Sequence, residues 1–372
     1  MTAFAVVSIS ARMLAEAAVD DGFEVVALDL FGDADTRRAC AEWHSIGDPA
    51  SLSIDGARLL STLEALAQRA RVAGWIAGSG FEGRPDLLES GAALLPLIGT
   101  RADAMRRLRD PQAFFGLLDA RGIAHPPVRS TAPDDAACWL VKDAHGCGGW
   151  HIRRAASSDV LGAHQYFQRE IAGRPMSMTF MANGSDALVL GFNQLIVRPL
   201  AGRPFVYCGA VGPVSLPAGA ADCVTAALGA LVPAFSLRGL GSLDFMLDGE
   251  AVEVLEINPR PPASMALYGP GMVAAHVRAC VQGELPEARV QTHGLVRGTE
   301  VVFAPRRLWL DEPATRRLAA RPCCHDLPLG ATSFEAGDPL CSVSASGTDA
   351  AHVRELLQRG RDAVHRSLEA CA

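Results

Sequence analysis

Between Ser242 and Pro261 the chain writes two strand patterns around an Asp-Gly pair: Ser242-Leu243-Asp244-Phe245-Met246-Leu247-Asp248-Gly249, then Val252-Glu253-Val254-Leu255-Glu256-Ile257-Asn258-Pro259-Arg260-Pro261. Asp-Gly takes up the positive φ values of a tight turn, so the pair closes a β-hairpin. Side chains alternate across a strand, which puts Val254, Glu256 and Asn258 on one face, with Asp244 able to join them from the partner strand. Two carboxylates and an amide on an otherwise apolar hairpin concentrate negative charge that is costly unless a cation offsets it. Hard oxygen donors in this number favour Mg²⁺, with Mn²⁺ as a possible substitute; such an ion holds few protein carboxylates and completes its octahedron with water and phosphate oxygens. Asn258 is neutral and keeps the site from becoming too anionic for a polyphosphate. Arg260 follows on the same face, where its planar fork can brace a phosphoryl group or a carboxylate. The plain alternative is a solvated face with Glu256 and Arg260 exposed, and the clustering of four polar residues between apolar neighbours argues against it.

A second feature points to the same chemistry. The chain holds one lysine, Lys142, among 34 lysine and arginine residues, in Val141-Lys142-Asp143-Ala144-His145-Gly146-Cys147-Gly148-Gly149. A chain that otherwise uses arginine keeps a compact ammonium directly ahead of a glycine-rich loop, where a planar guanidinium is not an equivalent substitute. Chance placement at a strand end is the alternative.

The formal net charge of −7 offers no basic stripe for counterion release, which disfavours nucleic acid as a partner. The N-terminus lacks the basic region and cleavage site of a secretory signal, and no uninterrupted apolar run reaches about 18 residues. A soluble, cytoplasmic protein with no membrane partner is the expectation. Ten cysteines occur without a C-x-x-C pair and read as small core residues or free thiols. Adjacent Cys323 and Cys324 could be redox-active or metal-binding, with buried reduced thiols the favoured reading.

Along the chain, an apolar run over Phe4–Ser8, a helical pattern with Met13, Leu14, Ala17 and Ala18 on one face, and a second strand over Phe23–Leu30 make a βαβ unit. Its acidic loop, Asp29 to Asp35, lies at the strand's carboxyl end, where open α/β sheets bind ligands. Ser8-Ile9-Ser10-Ala11 stands where a dinucleotide-binding fold has its glycines, so a nicotinamide cofactor is not expected. Trp75–Ala77 is a later strand of this sheet, and Gly78-Ser79-Gly80-Phe81-Glu82-Gly83 after it is either a ligand-contacting loop or a tight turn. An amphipathic helix through Leu108, Phe114, Phe115, Leu117 and Leu118 is closed by Gly122 and blocked by Pro126 and Pro127. From Cys138 to about Ile171 the pattern is strand, glycine loop, strand, short helix, strand. Pro213–Pro217 reads as a turn, Ala221–Leu237 as a helix, Gly294–Val343 as short β runs, and Val353 to Leu368 as a closing helix.

Taken together, these pieces resemble an ATP-grasp enzyme, the superfamily of biotin carboxylase and the D-alanine ligases, in family order over about two thirds of the chain. The resemblance implies an α/β and α+β architecture. Residues 1–98 form a Rossmann-like pre-ATP-grasp domain, 99–131 a helical linker, 132–173 a small lid subdomain, 174–290 a catalytic mixed-sheet subdomain, and 291–372 a β-rich segment with a closing helix. It assigns Lys142 to the α- and β-phosphates of ATP and Gly146, Gly148 and Gly149 to the flexible loop over them. It makes Tyr166-Phe167-Gln168-Arg169-Glu170-Ile171 the hinge strand, with the backbone at Arg169 and Ile171 facing adenine and Gln168 and Glu170 as polar neighbours. Asp244, Glu256 and Asn258 fall on the metal-ligand positions, and Arg260 on the arginine of the acyl-phosphate stage.

Two departures stand out: Arg109-Asp110-Pro111 occupies the place of a second nucleotide-binding lysine, so that Arg109 substitutes for it or the contact is missing. Asp143 replaces the usual proline after Lys142, and is expected to point outward. Within the superfamily the loops at Asp29–Asp33 and Gly78–Glu82 and the β-rich tail resemble a branch of biotin-carboxylase-related carboligases, which implies a role in building a one-carbon carrier of the methanopterin or methanofuran type. The implied reaction joins a small-molecule carboxylate to an amine through an acyl-phosphate, with ATP and Mg²⁺, in a protein whose relatives are commonly homodimers. Alternatives are a bicarbonate-activating carboxylase and a catalytically silent ATP-binding regulatory protein. Residues that choose the substrates are expected around Phe31, Ser79 and Glu82 and near Tyr207–Gly212.

Overall fold

The computed structural model describes residues 2–287 and 294–369. The N-terminal part runs β1 (Ala3–Val7), α1 (Arg12–Asp20), β2 (Glu24–Asp29), α2 (Ala34–Ala39), β3 (Glu42–Ser45), α3 (Gly56–Ala67), β4 (Val72–Ala77) and α4 (Pro85–Leu94). Its strands form a parallel sheet in the order β3-β2-β1-β4. Unbroken apolar runs suit this sheet because both faces are covered: Phe4 and Val6 enter one core cluster, and Ala3, Ala5 and Val7 the other. Helix α1 buries Leu14 and Ala18 of the expected face together with Arg12 and Ala15, and leaves Met13 and Ala17 half-buried.

Two short helices follow, α5 (Ala102–Leu108) and α6 (Pro111–Arg121). Asp110 caps α6 by accepting from the Gln112 and Ala113 N–H groups, and Gly122 in the left-handed region ends it. Beyond it, β5 (Val128–Arg129), β6 (Trp139–Asp143), β7 (Arg153–Arg154) and β8 (Gln165–Arg169) make a small antiparallel sheet in the order β5-β8-β6-β7. The short helix expected before β8 does not form. Asp159 instead takes the Arg153 guanidinium at 2.6 Å and the Ala156 N–H at 2.7 Å, a local turn that competes with helix.

Apart from the separate strand pair Leu308–Leu310 and Thr332–Phe334, the remaining elements build or cover one eight-stranded sheet. They are β9 (Arg174–Asn183), β10 (Ala187–Leu200), β11 (Arg203–Val214), α7 (Ala218–Phe235), β12 (Arg238–Asp248), β13 (Ala251–Asn258), α8 (Met272–Val281), β14 (Val296–Phe303), α9 (Glu312–Ala319), β15 (Cys324–His325), β16 (Pro339–Gly347) and α10 (Ala350–Glu369). The order is β13-β12-β9-β10-β11-β14-β16-β15, so the C-terminal strands extend the same sheet through β11 and β14. The division expected between 290 and 291 lies outside the described residues. Strand β11 continues through Pro213 to Val214, which pairs with Phe192, so the expected turn starts later. Helix α7 is long and apolar enough to cross a membrane by length and composition. Its Val224, Leu228, Leu231 and Phe235 instead pack against Phe245, Val252 and Val254 of the sheet.

The N-terminal and C-terminal parts are tied by an ion pair between buried Arg12 and half-buried Asp326. Arg12 Nε and Nη2 meet Asp326 Oδ1 and Oδ2 at 2.5 and 3.1 Å, while Nη1 meets Glu16 at 2.8 Å. Asp326 has a φ of +57, and its N–H donates to Asp35 Oδ2 at 2.9 Å. Burial pushes the Asp326 carboxyl up, but Arg12 overcomes this and holds it below its ordinary value. A depressed carboxyl contributes stability that is present above the unfolded value and lost as pH falls through the folded one. Arg12→Met should therefore cost about 3 kcal/mol near neutral pH, with the deficit shrinking on acidification; denaturant melts at several pH values would show it. An unchanged midpoint near pH 7 would contradict this role.

Candidate active site

The hairpin is built from β12 and β13, with Gly249 at φ +59 in its turn. Asp244 lies opposite Glu256 and Ser242 opposite Asn258, but the register breaks next to Asp244, where Phe245 pairs with Val254. Leu255 is the extra residue of a bulge, which re-aims the side chains on either side of it. Val254 consequently joins the α7 core, and the expected face of Val254, Glu256 and Asn258 is corrected to Glu256 and Asn258 alone, with Asp244 beside them.

The polar groups meet closely. Asn258 Nδ2 donates to Asp244 Oδ2 at 3.2 Å and to Glu256 Oε1 at 3.3 Å. Asn258 Oδ1 accepts from Arg109 Nη2 at 3.0 Å, and Arg109 Nη1 lies 3.5 Å from Glu256 Oε2. Arg109 thus arrives at the end of α5 to brace the acidic pair. Burial raises Asp244 toward neutrality and the Glu256 charge adds to it. Burial also pushes Glu256 upward, but Arg109, His151 and Lys142 together hold it below the ordinary carboxylate range. Lys142 comes from β6, opposite Tyr166 on β8, and is only 7% exposed. Burial lowers its pKa against the pull of Glu256 and Asp244.

Arg260 is anchored from the other side. Its Nε donates to Glu82 Oε1 at 2.8 Å, and Glu82 Oε2 accepts the Gly80 N–H at 2.8 Å. Arg260 and Glu82 are 178 positions apart, so nothing local in the sequence could pair them; Glu82 was legible only as a member of a substrate-choosing loop. The Gly78–Gly83 loop is a tight one: Gly80 has φ +108, and a Cβ on Gly78 would lie 2.7 Å from Ser8 Oγ. Tyr207 sits within electrostatic reach of Asp244 and Arg260.

The glycine loop after Lys142 is seated on the large sheet. Gly148 and Gly149 have φ of +64 and +77, and the Tyr207 N–H donates to the Gly148 carbonyl at 2.9 Å. A Cβ on Gly149 would lie 1.8 Å from the Phe205 carbonyl oxygen. Trp150 packs edge-on against Phe303, with ring centres 5.9 Å apart. Asp143 Oδ1 accepts the His145 N–H at 2.9 Å, so this carboxylate closes its own loop. Gly146 lies against the His151 ring. Burial depresses the His151 pKa against the opposing pull of Glu256.

The hinge residues fall as follows. Gln168 is 1% exposed. The Arg169 N–H donates to the Pro127 carbonyl at 2.9 Å and the Glu170 N–H to the Cys138 carbonyl at 2.8 Å. The Glu170 side chain turns to Arg154 of β7, with Nη2 to Oε1 at 3.1 Å, and Ile171 is half-buried where the chain leaves β8.

Three buried side-chain nitrogens, Arg109 Nε, His151 Nδ1 and Gln168 Nε2, have no hydrogen-bond partner. Arg109 and His151 line one cleft with Phe115, Tyr166, Leu255 and Glu256, and Gln168 follows Tyr166 on the same face of β8. Orphaned donors opposite paired carboxylates are what a polyphosphate with a divalent cation would satisfy. Among the described residues no group of three or more His, Cys, Asp or Glu side chains could hold a metal, so Asp244 and Glu256 would supply a minority of the ion's ligands; the Asn258 oxygen, expected as a third ligand, is taken by Arg109.

Comparison with known proteins bears on the domain and the fold. Residues 113–264 match the ATP-grasp domain family. No curated protein matches the chain. Among solved structures, a Rhizobium etli pyruvate carboxylase superposes with a TM-score of 0.72 at 16% identity, over 97% of this chain and 37% of that one. The chain thus spans little more than a third of that enzyme. A Campylobacter jejuni biotin carboxylase gives 0.70 at 13% identity, over 96% of this chain and 90% of that one. A Bacillus licheniformis L-amino acid ligase gives 0.69 at 13% identity, over 97% of each. Residues 113–264 thus carry an ATP-grasp domain, and the fold of nearly the whole chain is similar to that of these enzymes.

Proposed function

We propose that the chain is an ADP-forming ligase that activates a small carboxylate with ATP and joins it to an amine. The observation that carries this is the opposition of Asp244, Glu256 and Asn258 to Lys142 and Arg109 across one cleft. When bound, Mg²⁺ would neutralise phosphate charge and orient the γ-phosphoryl group for in-line transfer. Lys142 neutralises the α- and β-phosphates, and the amides of the Gly146–Gly149 loop cover them. In this reading the Gln168 amide and the backbone at Ile171 meet the adenine, with Leu255 under it, while the Arg169 N–H is spent on the Pro127 carbonyl.

A carboxylate oxygen bonds to the γ-phosphorus as the bond to ADP breaks, and ADP departs with that electron pair. Arg260 holds the acid substrate through the ends of its guanidinium left free by Glu82. The amine nitrogen then attacks the acyl carbon, phosphate leaves with its bonding electrons, and the nitrogen gives up a proton. Positioning and charge carry such a transfer, so no nucleophilic side chain is required. Loop closure over Tyr207 keeps water from the acyl-phosphate.

The likeness in fold to carboxylases supports a second reading in which bicarbonate is the acid. No Ala-Met-Lys-Met sequence for biotin attachment occurs in the chain, whose one lysine is committed to the cleft. A screen of bicarbonate, amino acids, glutamate and tyramine-like amines for ATP-dependent phosphate release separates the readings. It also tests the branch-level expectation of a one-carbon carrier substrate.

Lys142→Ala should weaken ATP binding by about tenfold or more, and Asp244→Asn should leave binding largely intact while cutting Mg²⁺-dependent turnover by about a hundredfold. Calorimetry and phosphate release measure the two effects; unchanged turnover in both variants would remove the assignment. Asp244 keeps its proton to higher pH than an ordinary carboxylate, and a cation needs it ionised. Mg²⁺ affinity should therefore rise from about pH 6 to about pH 8 with net proton release, read from titration heats in buffers of different ionisation enthalpy. A flat affinity across that range would contradict this description of the pair.

A further inference from the structure

Resting on the nucleotide site proposed above, we infer that His151 is a phosphate-binding residue carried into the cleft by the glycine loop. The loop is held down at three points, Gly148 to the Tyr207 N–H, Gly149 against the Phe205 carbonyl and Trp150 against Phe303. His151 follows the last of these directly, so its position is dictated by the seated loop. A Cβ on Gly146 would lie 2.2 Å from the His151 ring, which makes that glycine a notch for the imidazole as much as a flexible link.

Held there, the ring lines the cleft with Arg109 and Glu256, and Lys142 is within electrostatic reach. The Cys147 backbone makes a marginal hydrogen-bonding contact with the ring, while Nδ1 is sealed from solvent and has no partner at normal hydrogen-bond geometry. A buried ring nitrogen without a partner, beside Arg109, Lys142 and Glu256 in the same site, has its complement in a ligand. An imidazole N–H donates well to a phosphate oxygen and costs less to bury than a third permanent cation would. Neither the glycine spacing nor the lysine singles out His151 in the sequence.

The test separates the polar role from the shape of the ring. His151→Phe keeps a ring in the Gly146 notch and removes the nitrogens; His151→Asn keeps an amide group near the Nδ1 position. Binding of Mg²⁺-ADP, a non-hydrolysable Mg²⁺-ATP analogue and adenosine is measured by calorimetry for each, with a thermal melt as the control for folding. His151→Phe should weaken both phosphorylated ligands by about tenfold, leave adenosine unchanged and melt like the wild type, while His151→Asn recovers most of the loss. Equal weakening of adenosine would mean that the ring only shapes the pocket, and unchanged binding of all three would mean that it has no part; either overturns the inference. A wild-type chain that binds none of the three removes the site reading itself, an outcome distinct from both.

Discussion

Asp244 and Glu256 face each other across two adjacent strands, and the rest of the site is arranged around the repulsion between them. Half-buried like charges at this spacing are costly unless compensated, and the compensation is visible. Asn258 places its amide N–H groups on both carboxylates, and Arg109 closes over the Asn258 oxygen and the far side of Glu256. The two carboxyls are driven apart in proton affinity, Glu256 down and Asp244 up. Asp244 is the one left short of positive charge, which makes it the natural opening for a divalent cation.

Three separate parts of the chain deliver the groups that surround this pair. The N-terminal sheet sends Glu82 to hold Arg260, the small sheet sends Lys142 and the glycine loop, and α5 ends at Arg109. The Leu255 bulge is what lets one strand serve two purposes, turning Val254 into the α7 core while Glu256 and Asn258 face the cleft. Without it, Val254 would occupy the polar face and the sheet would lose a core side chain. The Arg12 to Asp326 pair, with the Asp326 N–H on Asp35, holds the first two N-terminal loops against the far end of the large sheet.

Much of this was readable in the linear chain, for identifiable reasons. The hairpin, its Asp-Gly turn, Lys142 and the glycine loop are local patterns whose meaning does not depend on distant residues, and Lys142 lies within electrostatic reach of Asp244 and Glu256. Helix α6 was legible from Asp110 and Gly122 because caps are local as well. What escaped was set by tertiary contact: the bulge at Leu255, the turn around Asp159 in place of a helix, the pairing of Glu82 with Arg260, and His151. Each depends on a partner that sequence spacing cannot bring near, or, at Asp159, on a side chain that outcompetes a helical pattern.

The most direct test of the account is anomalous diffraction from crystals grown with Mn²⁺ and ADP. The account predicts a manganese peak between Asp244 and Glu256, with the diphosphate running from it toward Lys142 beneath the Gly146–Gly149 loop. Nucleotide bound elsewhere, or manganese away from these two carboxylates, would contradict it.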